Sequence, residues 1–569
     1  MADLKITQLT ELTSPLISDI LPIVDDPSGS PVTKKITLSN LLAQKTIVTV
    51  STSDGADYVC DGANDEVQIN QAITAVATAG GGIVYLKEGT YELGNADLAA
   101  FWSPTLYGGV IMKDKVTLKG EGINKTILNL TTMPSSPTTG TRYIAVAMDL
   151  QTNNDMVVED LSITLPAGTQ GGSGYWATGI VFTGSRCVIR NVHITNGDWG
   201  FIGVSCSFNT TTKEITTDTT NCLADNVITT GNTASCSIRK ATDCTVRQCR
   251  FYSFHDDAFL AAVALQRITF IDNVFDGEGT TGGSSNGALY IVNDAAIDTD
   301  LFTVSDIKII GNTFRRHQLS SNSGGIALNT AKNIIIQGNI IEKCKGDGIN
   351  NTGGTTLRNI TITDNIIRLN EGDGIDLQST AGSEGMNIII QGNRIYNNTS
   401  RAINLTNQTN GLYDGITIQG NEIWDDQGAS DTQTTGIRFL STGSGVDTAN
   451  IKIEGNNIYD TDTPIDVSTS GGATFTNLNI RNNTGFITEA TGTGTIANGA
   501  TSATITHGLS WTPTLSEITI TGGENPTADI GTIWVDTIGA TTFKVNCEVD
   551  PSTSGFDFGW KVTILRTTL

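Results

Sequence analysis

The residues of this chain best suited to chemistry are aspartates set beside glycine or beside a second aspartate. Asp347 stands in Gly346-Asp347-Gly348-Ile349 and Asp373 in Gly372-Asp373-Gly374-Ile375, and Arg401 takes the equivalent place ahead of Ala402-Ile403. Asp256 and Asp257 form a direct pair, with His255 before them and Tyr252, Phe254 and Phe259 nearby. Two carboxyl groups about 5 Å apart suit a retaining glycosidase, and a wider gap suits inversion through an intervening water. Close carboxylates repel one another, which raises one pKa and supplies a protonated acid. Burial of the acid against Phe254 or Phe259 would raise it further. The same Gly-Asp-Gly segments are also good turn chemistry, an Asp there bonding only backbone N–H groups, and a bound cation is a third reading. No metal site and no cofactor is assigned.

Other groups offer binding rather than catalysis. Aromatic residues are scarce at 6%, so the cluster of Tyr175, Trp176, Trp199 and Phe201 stands out; Trp176 and Trp199 are candidate platforms for the apolar faces of sugars, with core packing the alternative, above all for Phe201. Arg315 and Arg316 precede His317 and suggest a surface for an acidic polysaccharide, or simply a solvated face. His193 alternates with apolar residues and reads as packing. Nine cysteines, six of them between Cys187 and Cys249, include no close Cys-x-x-Cys pair. They read as buried free thiols, with a zinc site from Cys236, Cys244, Cys249 and His255 as the sharper alternative. The glycine-rich stretch 277–283 lacks the Lys-Ser/Thr of a phosphate-binding loop.

Position is set by a repeat. The pattern apolar-x-apolar-x-Gly/Asp-Asn ends at Asn312, Asn339, Asn365, Asn393, Asn421 and Asn456, with weaker copies upstream at Asn191 and Asn273 and a last one near Asn482. Steps of 26 to 28 residues, with one of 35, hold two or three alternating strands each. One such unit cannot bury its apolar face but stacked copies can. Stacking predicts a parallel β-helix over residues 110–487, with coils about 4.8 Å apart and the corner asparagines in a hydrogen-bonded ladder. In that register Asp347, Asp373 and Arg401 each lie eight residues after a ladder Asn and form one column, with Asp257 at the same position of an earlier coil. A second outward column holds Asn350, Asp376, Asn404, Arg438 and Asp466.

The flanks differ. Residues 1–46 carry Leu9, Leu12, Leu16, Ile20 and Leu21 in a short amphipathic stretch, with a second helical turn expected over 38–42. Ile69, Ala72, Ile73 and Val76 have helical spacing behind Asn64 or Asp65 as cap, and such a helix, within a cap formed by residues 47–109, would cover the open β-helix end. Residues 488–569 read as a separate antiparallel β-domain. The fold expected is therefore all-β: a right-handed parallel β-helix with an N-terminal capping helix and a C-terminal antiparallel β-domain.

Residues 54–91, with an Asp-Gly-x-x-Asp start and then GGGIVYLKEGTY, resemble the N-terminal motif of the pectate-lyase-like β-helix superfamily. Residues 3–42, including KITQLTELTSPLISDILPIVDD, are similar to the virion-anchoring segment of phage tailspikes, and TIANGATSATITHGLSWTPT at 495–514 is similar to a C-terminal domain of phage fibres. The resemblance implies a homotrimeric tailspike, made in the host cytoplasm and carried on the phage tail or baseplate through residues 1–46, that binds a bacterial surface glycan. It does not specify the reaction. Asp256-Asp257 resembles the paired aspartates of polygalacturonases, but no Gly-His-Gly or Arg-x-Lys segment follows, and no pectate-lyase calcium cluster with a catalytic Arg is evident.

Composition narrows the function classes. The 34 Lys+Arg against 58 Asp+Glu give a net charge of −24, which argues against nonspecific nucleic-acid binding. No apolar run is long enough to insert in a membrane. Acidic columns outnumber the Lys and Arg that a lyase needs for its developing anion, so a hydrolase is expected. A non-catalytic receptor-binding spike and a structural tail component are the alternatives. The site expected is Asp256 and Asp257 with Asp347, Asp373 and Asp376, and with His255, Arg315, Arg401, Trp176 and Trp199 on substrate.

Overall fold

A computed structural model describes residues 20–25, 32–37 and most of 47–564, the longer internal exceptions being 98–105, 131–140, 149–153, 167–174, 204–218, 279–286, 294–303, 319–323 and 524–528. The chain divides into two compact units, Met1–Gly197 and Asp198–Leu569.

The first unit holds the helix. It spans Glu66–Thr78 and buries Ile69, Ala72, Ile73 and Val76, the four residues whose spacing predicts it. Its cap differs from expectation. Asp65 occupies the N-cap position with helical φ and ψ and bonds none of the helix's own N–H groups. Its carboxylate instead accepts from Gly62 N–H at 2.9 Å and Glu92 N–H at 2.7 Å, tying the helix start to the chain around it. Asn70 donates to Gly109 O and accepts from Ile111 N–H, which fastens the helix to the strand Leu106–Met112. Parallel pairs then stack: Ile47–Ser51 on Gly82–Leu86, that strand on Val116–Lys119, and Val157–Thr164 on Val188–Thr195. Ile20–Asp25 and Val32–Thr37 form an antiparallel pair, so Ile20 and Leu21 lie on a strand rather than in a helical stretch; Leu9, Leu12, Leu16 and residues 38–42 fall outside the described residues.

The second unit is a parallel β-helix followed by antiparallel sheets. Its inward column Phe259, Leu289, Ile326, Ile349, Ile375, Ile403, Ile437 and Ile465 is in continuous parallel register and almost wholly buried. The asparagine ladder is present as the repeat predicts. Asn273, Asn312, Asn339, Asn365, Asn393, Asn421, Asn456 and Asn483 are each buried. Each of the first seven donates its backbone N–H and its Nδ2 to the Oδ1 of the next, at 2.8 to 3.0 Å. The second Nδ2 hydrogen meets a backbone carbonyl one coil back, as from Asn365 to Ile336 O at 2.9 Å. The last member is Asn483 rather than Asn482. Two further ladders went unread. One runs inside through Asn370, Asn398 and Gln433. The other runs outside through Asn333, Asn359 and Asn387, all at φ near +55°, where Asn is the non-glycine residue best tolerated.

Beyond Asn483 the pattern changes. Glu489–Ile496, Phe556–Thr563 and Ile518–Gly522 form one antiparallel sheet, and Ser502–Thr506, Thr542–Cys547 and Ile533–Asp536 another. Ile496, Phe543, Val545, Phe556, Phe558 and Val562 make their shared core. Eight cysteines are free and buried, and no zinc set forms among the described residues; His255 lies outside them. Among the described residues no helix is long and apolar enough to cross a membrane.

Candidate functional site

The inward isoleucines fix what faces out. Because Ile349, Ile375, Ile403, Ile437 and Ile465 point into the coil, the residue after each points away from it. Asn350, Asp376, Asn404, Arg438 and Asp466 are accordingly in register on five successive coils. Two residues before the isoleucines, the turn residues Asp347, Asp373 and Arg401 form the companion column. Asp347 Oδ1 accepts the Asp373 N–H at 2.7 Å, and Asp373 Oδ1 accepts the Arg401 N–H at 2.8 Å. Each aspartate therefore serves the turn above it, as the turn reading requires.

The two columns meet in one acidic cluster. Carboxylate oxygens of Asp347, Asp373 and Asp376 all lie within 4.8 Å of one another. Asn350 Nδ2 reaches Asp347 Oδ2 at 3.3 Å. Asp376 is held from both sides, by Asn404 Nδ2 on Oδ1 and Gln378 Nε2 on Oδ2, each at 2.7 Å. The Arg401 guanidinium sits 3.3 Å from Asp373, and Arg438 faces Asp466 at 3.8 Å. Burial pushes the Asp347 carboxyl up to about 7, helped by the charges of Asp376 and Asp373. Asp373 is pushed up to about 6 by burial, against the opposing pull of Arg401. Asp376 is also raised by burial, with the amides of Gln378 and Asn404 holding it back. All three shifts run in the direction that favours a neutral carboxyl in the cluster.

Asp257 does occupy the same column, but not the same place along it. Asp257, Gly287, Gly324 and Asp347 precede register partners on consecutive coils, so Asp257 lies three steps, about 14 Å, from Asp347. That exceeds the separation of any two-carboxylate glycosidase pair. Asp257 is buried and accepts the Gly287 N–H at 3.4 Å. His255 and Asp256 lie outside the described residues. Phe259 and Phe254 are core residues. Phe259 packs edge-on against Phe251 and Phe270, and Phe254 packs on the buried His317 ring.

The remaining expectations separate as well. Arg315 and Arg316 both close on the buried carboxylate of Asp276, at 2.9 and 2.5 Å, and Arg316 also meets Glu278, so the two positive charges face two carboxylates. His317 bonds Gly324 O through Nδ1 in the interior. Trp176 is on the strand Tyr175–Phe182, its side chain outside the described residues, and Trp199 is half-buried on Trp199–Gly203. Phe201 is core, as expected.

The residues missed follow the same register. Gln378 stands two places beyond Asp376 and therefore on the same outward face. Tyr396, Trp424 and Tyr459 each lie three places after a ladder Asn. Their rings stack at 4.1 and 5.8 Å, nearly parallel, with Arg368 over Tyr396 and Arg394 over Trp424.

Comparison with known proteins bears on the fold. The family description for right-handed β-helix regions matches residues 283–423. Comparison with curated protein sequences returns no match. Among solved structures, a tailspike-protein mutant of E. coli bacteriophage HK620 superposes with a TM-score of 0.52 at 10% identity, over 95% of this chain and 97% of that one. A second mutant of that tailspike, in complex with a pentasaccharide, gives 0.52 at 11% identity over the same shares. The A-module of the Azotobacter vinelandii mannuronan C-5 epimerase AlgE4 aligns at 0.44 and 17% identity, over 74% of this chain and all of that one. The chain is thus built on a right-handed parallel β-helix like that of phage tailspikes, with antiparallel sheets after it.

Proposed function

We propose that this protein is a tailspike-like glycan-binding protein that hydrolyses a bacterial surface polysaccharide at the Asp347–Asp373–Asp376 cluster. The observation that carries the reading is the clustering of three carboxylates within 4.8 Å, one of them pushed up to about 7. A carboxyl separation near 5 Å suits retention, in which one group protonates the leaving oxygen and the other attacks the anomeric carbon. Asp347, pushed up to about 7, takes the acid role. Asp376, oriented by Asn404 and Gln378, takes the nucleophile role. Asp373 is a positioning residue, fixing Arg401 and adding negative charge beside the acid. The superposed tailspike bound to a pentasaccharide supports a sugar ligand for a β-helix of this kind.

The same reading includes a homotrimer, attached to a phage tail through residues 1–46. The test is release of reducing ends from a panel of bacterial surface polysaccharides by the wild type, Asp347→Asn and Asp376→Asn. Cleavage by the wild type alone, with glycan binding kept by both variants, supports the proposal. Binding without cleavage by any of the three points to a receptor-binding spike, and release of unsaturated ends points to a lyase.

A further inference from the structure

Independently of any glycan, two of the buried thiols face each other across one coil step. Thr219 and Thr220 pair with Ala241 and Thr242, and Leu223 pairs with Thr245, so the offset is 22 residues on both sides of Cys222 and Cys244. Cys222 therefore lies opposite Cys244, and the Thr245 N–H bonded to Cys222 O at 2.9 Å fixes that pairing. Register partners in a sheet are about 4.8 Å apart, inside the Cα window of a disulfide. Both side chains point inward, 3% and 2% exposed. Both Sγ atoms adopt the same local contact, 3.4 Å from the carbonyl two residues back. Cys244 Sγ also reaches Thr219 O at 3.7 Å, on the coil that carries Cys222, so it leans toward its partner.

We propose that Cys222 and Cys244 form a disulfide between adjacent coils when the protein meets a peroxide. The Cys244 thiolate attacks one peroxide oxygen, giving a sulfenic acid and releasing water after proton transfer. The Cys222 thiol then displaces the sulfenic oxygen as a second water, so two thiols and one peroxide give one disulfide and two waters. The pair is distinguished from the other thiols. The Cys222 side chain hydrogen-bonds Cys244 and lowers its pKa, whereas burial pushes Cys60, Cys249 and Cys344 up to about 12 and leaves them inert. Thiols kept reduced in a cytosol would close in this way on reaching an oxidising medium.

The test treats the native full-length protein with hydrogen peroxide, alkylates the remaining thiols after unfolding, and maps tryptic peptides. Arg239 and Lys240 separate the two cysteines, so the bridge gives a linked peptide pair that dissociates on reduction. The expected result is that pair, with Cys222 and Cys244 lost to alkylation and Cys60, Cys249 and Cys344 still alkylated. Cys236 shares a tryptic peptide with Cys222, so Cys236→Ser must keep the link and Cys222→Ser must abolish it. Full alkylation of Cys222 and Cys244 after peroxide overturns the proposal, as does a link that survives Cys222→Ser.

Discussion

Replacing Asp373 by Asn tests whether one buried carboxylate sets the protonation of another. Asp347 is pushed up to about 7, first by burial and then by the charges of Asp376 and Asp373. With oxygens within 4.8 Å and an effective dielectric of about 20, the Asp373 charge alone is worth about 3.5 kcal/mol to the Asp347 proton, or about 2.5 pH units. Arg401, 3.3 Å from Asp373, stays in place in the variant, so its field is common to both proteins and about 2.5 units is the upper limit of the change. Asn keeps the Oδ1 acceptor that holds the Arg401 N–H, so the turn should survive. Without the charge Asp347 loses its proton at lower pH, and the alkaline limb of kcat/KM moves down by about 1 to 2.5 units. The assay is the initial rate of reducing-end release as a function of pH, with a thermal melt of each protein to verify folding. An alkaline limb that stays in place or moves up refutes the argument that Asp373 acts on the acid through its charge.

Four further outcomes are expected. The folded pKa of Asp347 lies well above the ordinary carboxylate range, so the native state holds that proton more tightly and stability falls as pH rises from about 4 to about 7. Asp347→Asn should therefore melt higher than the parent at pH 8, by at most about 4 kcal/mol of stability, and equally at low pH. Asp257→Asn should leave the cleavage rate within about twofold, since three coil steps separate it from the cluster; a loss of about a thousandfold with folding intact would return it to the site. Asn365→Ala removes the amide that satisfies Asn339 N–H and Ile336 O in the interior, and should cost about 2–4 kcal/mol, read as a lower melting temperature and faster proteolysis. Light scattering of the full chain should give three times the monomer mass, and a monomer at native concentration would remove the trimer.

Much of the architecture was legible because a stacked fold writes itself into sequence as a period. The ladder asparagines recur at fixed places, and counting from them puts Asp347, Asp373 and Arg401 in one column and Asp376 with Asn404 in another. Counting is less informative about which neighbours a side chain meets along the stack. Asp257 shares the column of Asp347, with Gly287 and Gly324 on the two coils between them. Arg315 and Arg316 looked available because their partner Asp276 lies 39 and 40 residues away, a coil apart and so invisible to local patterns. Asp65 fits the profile of a helix cap, yet its carboxylate bonds Gly62 and Glu92, a choice decided by tertiary neighbours. Tyr396, Trp424 and Tyr459 were legible by the same count and were missed because single aromatics 28 and 35 residues apart do not read as a cluster.

The asparagine ladder has a consequence for how such a protein can change. Asn339 and Asn365 are 26 residues apart and Asn273 and Asn312 are 39 apart, yet both pairs are joined by the same two bonds of 2.9 Å. The ladder senses where a coil returns, and is blind to how far the chain travelled in between. Insertions and exchanges away from the corner are then nearly invisible to the core, since lengthening a closed loop adds only about 0.6 kcal/mol per doubling. A new surface could arise by grafting a segment between two ladder positions, with the aspartate columns carried along unaltered.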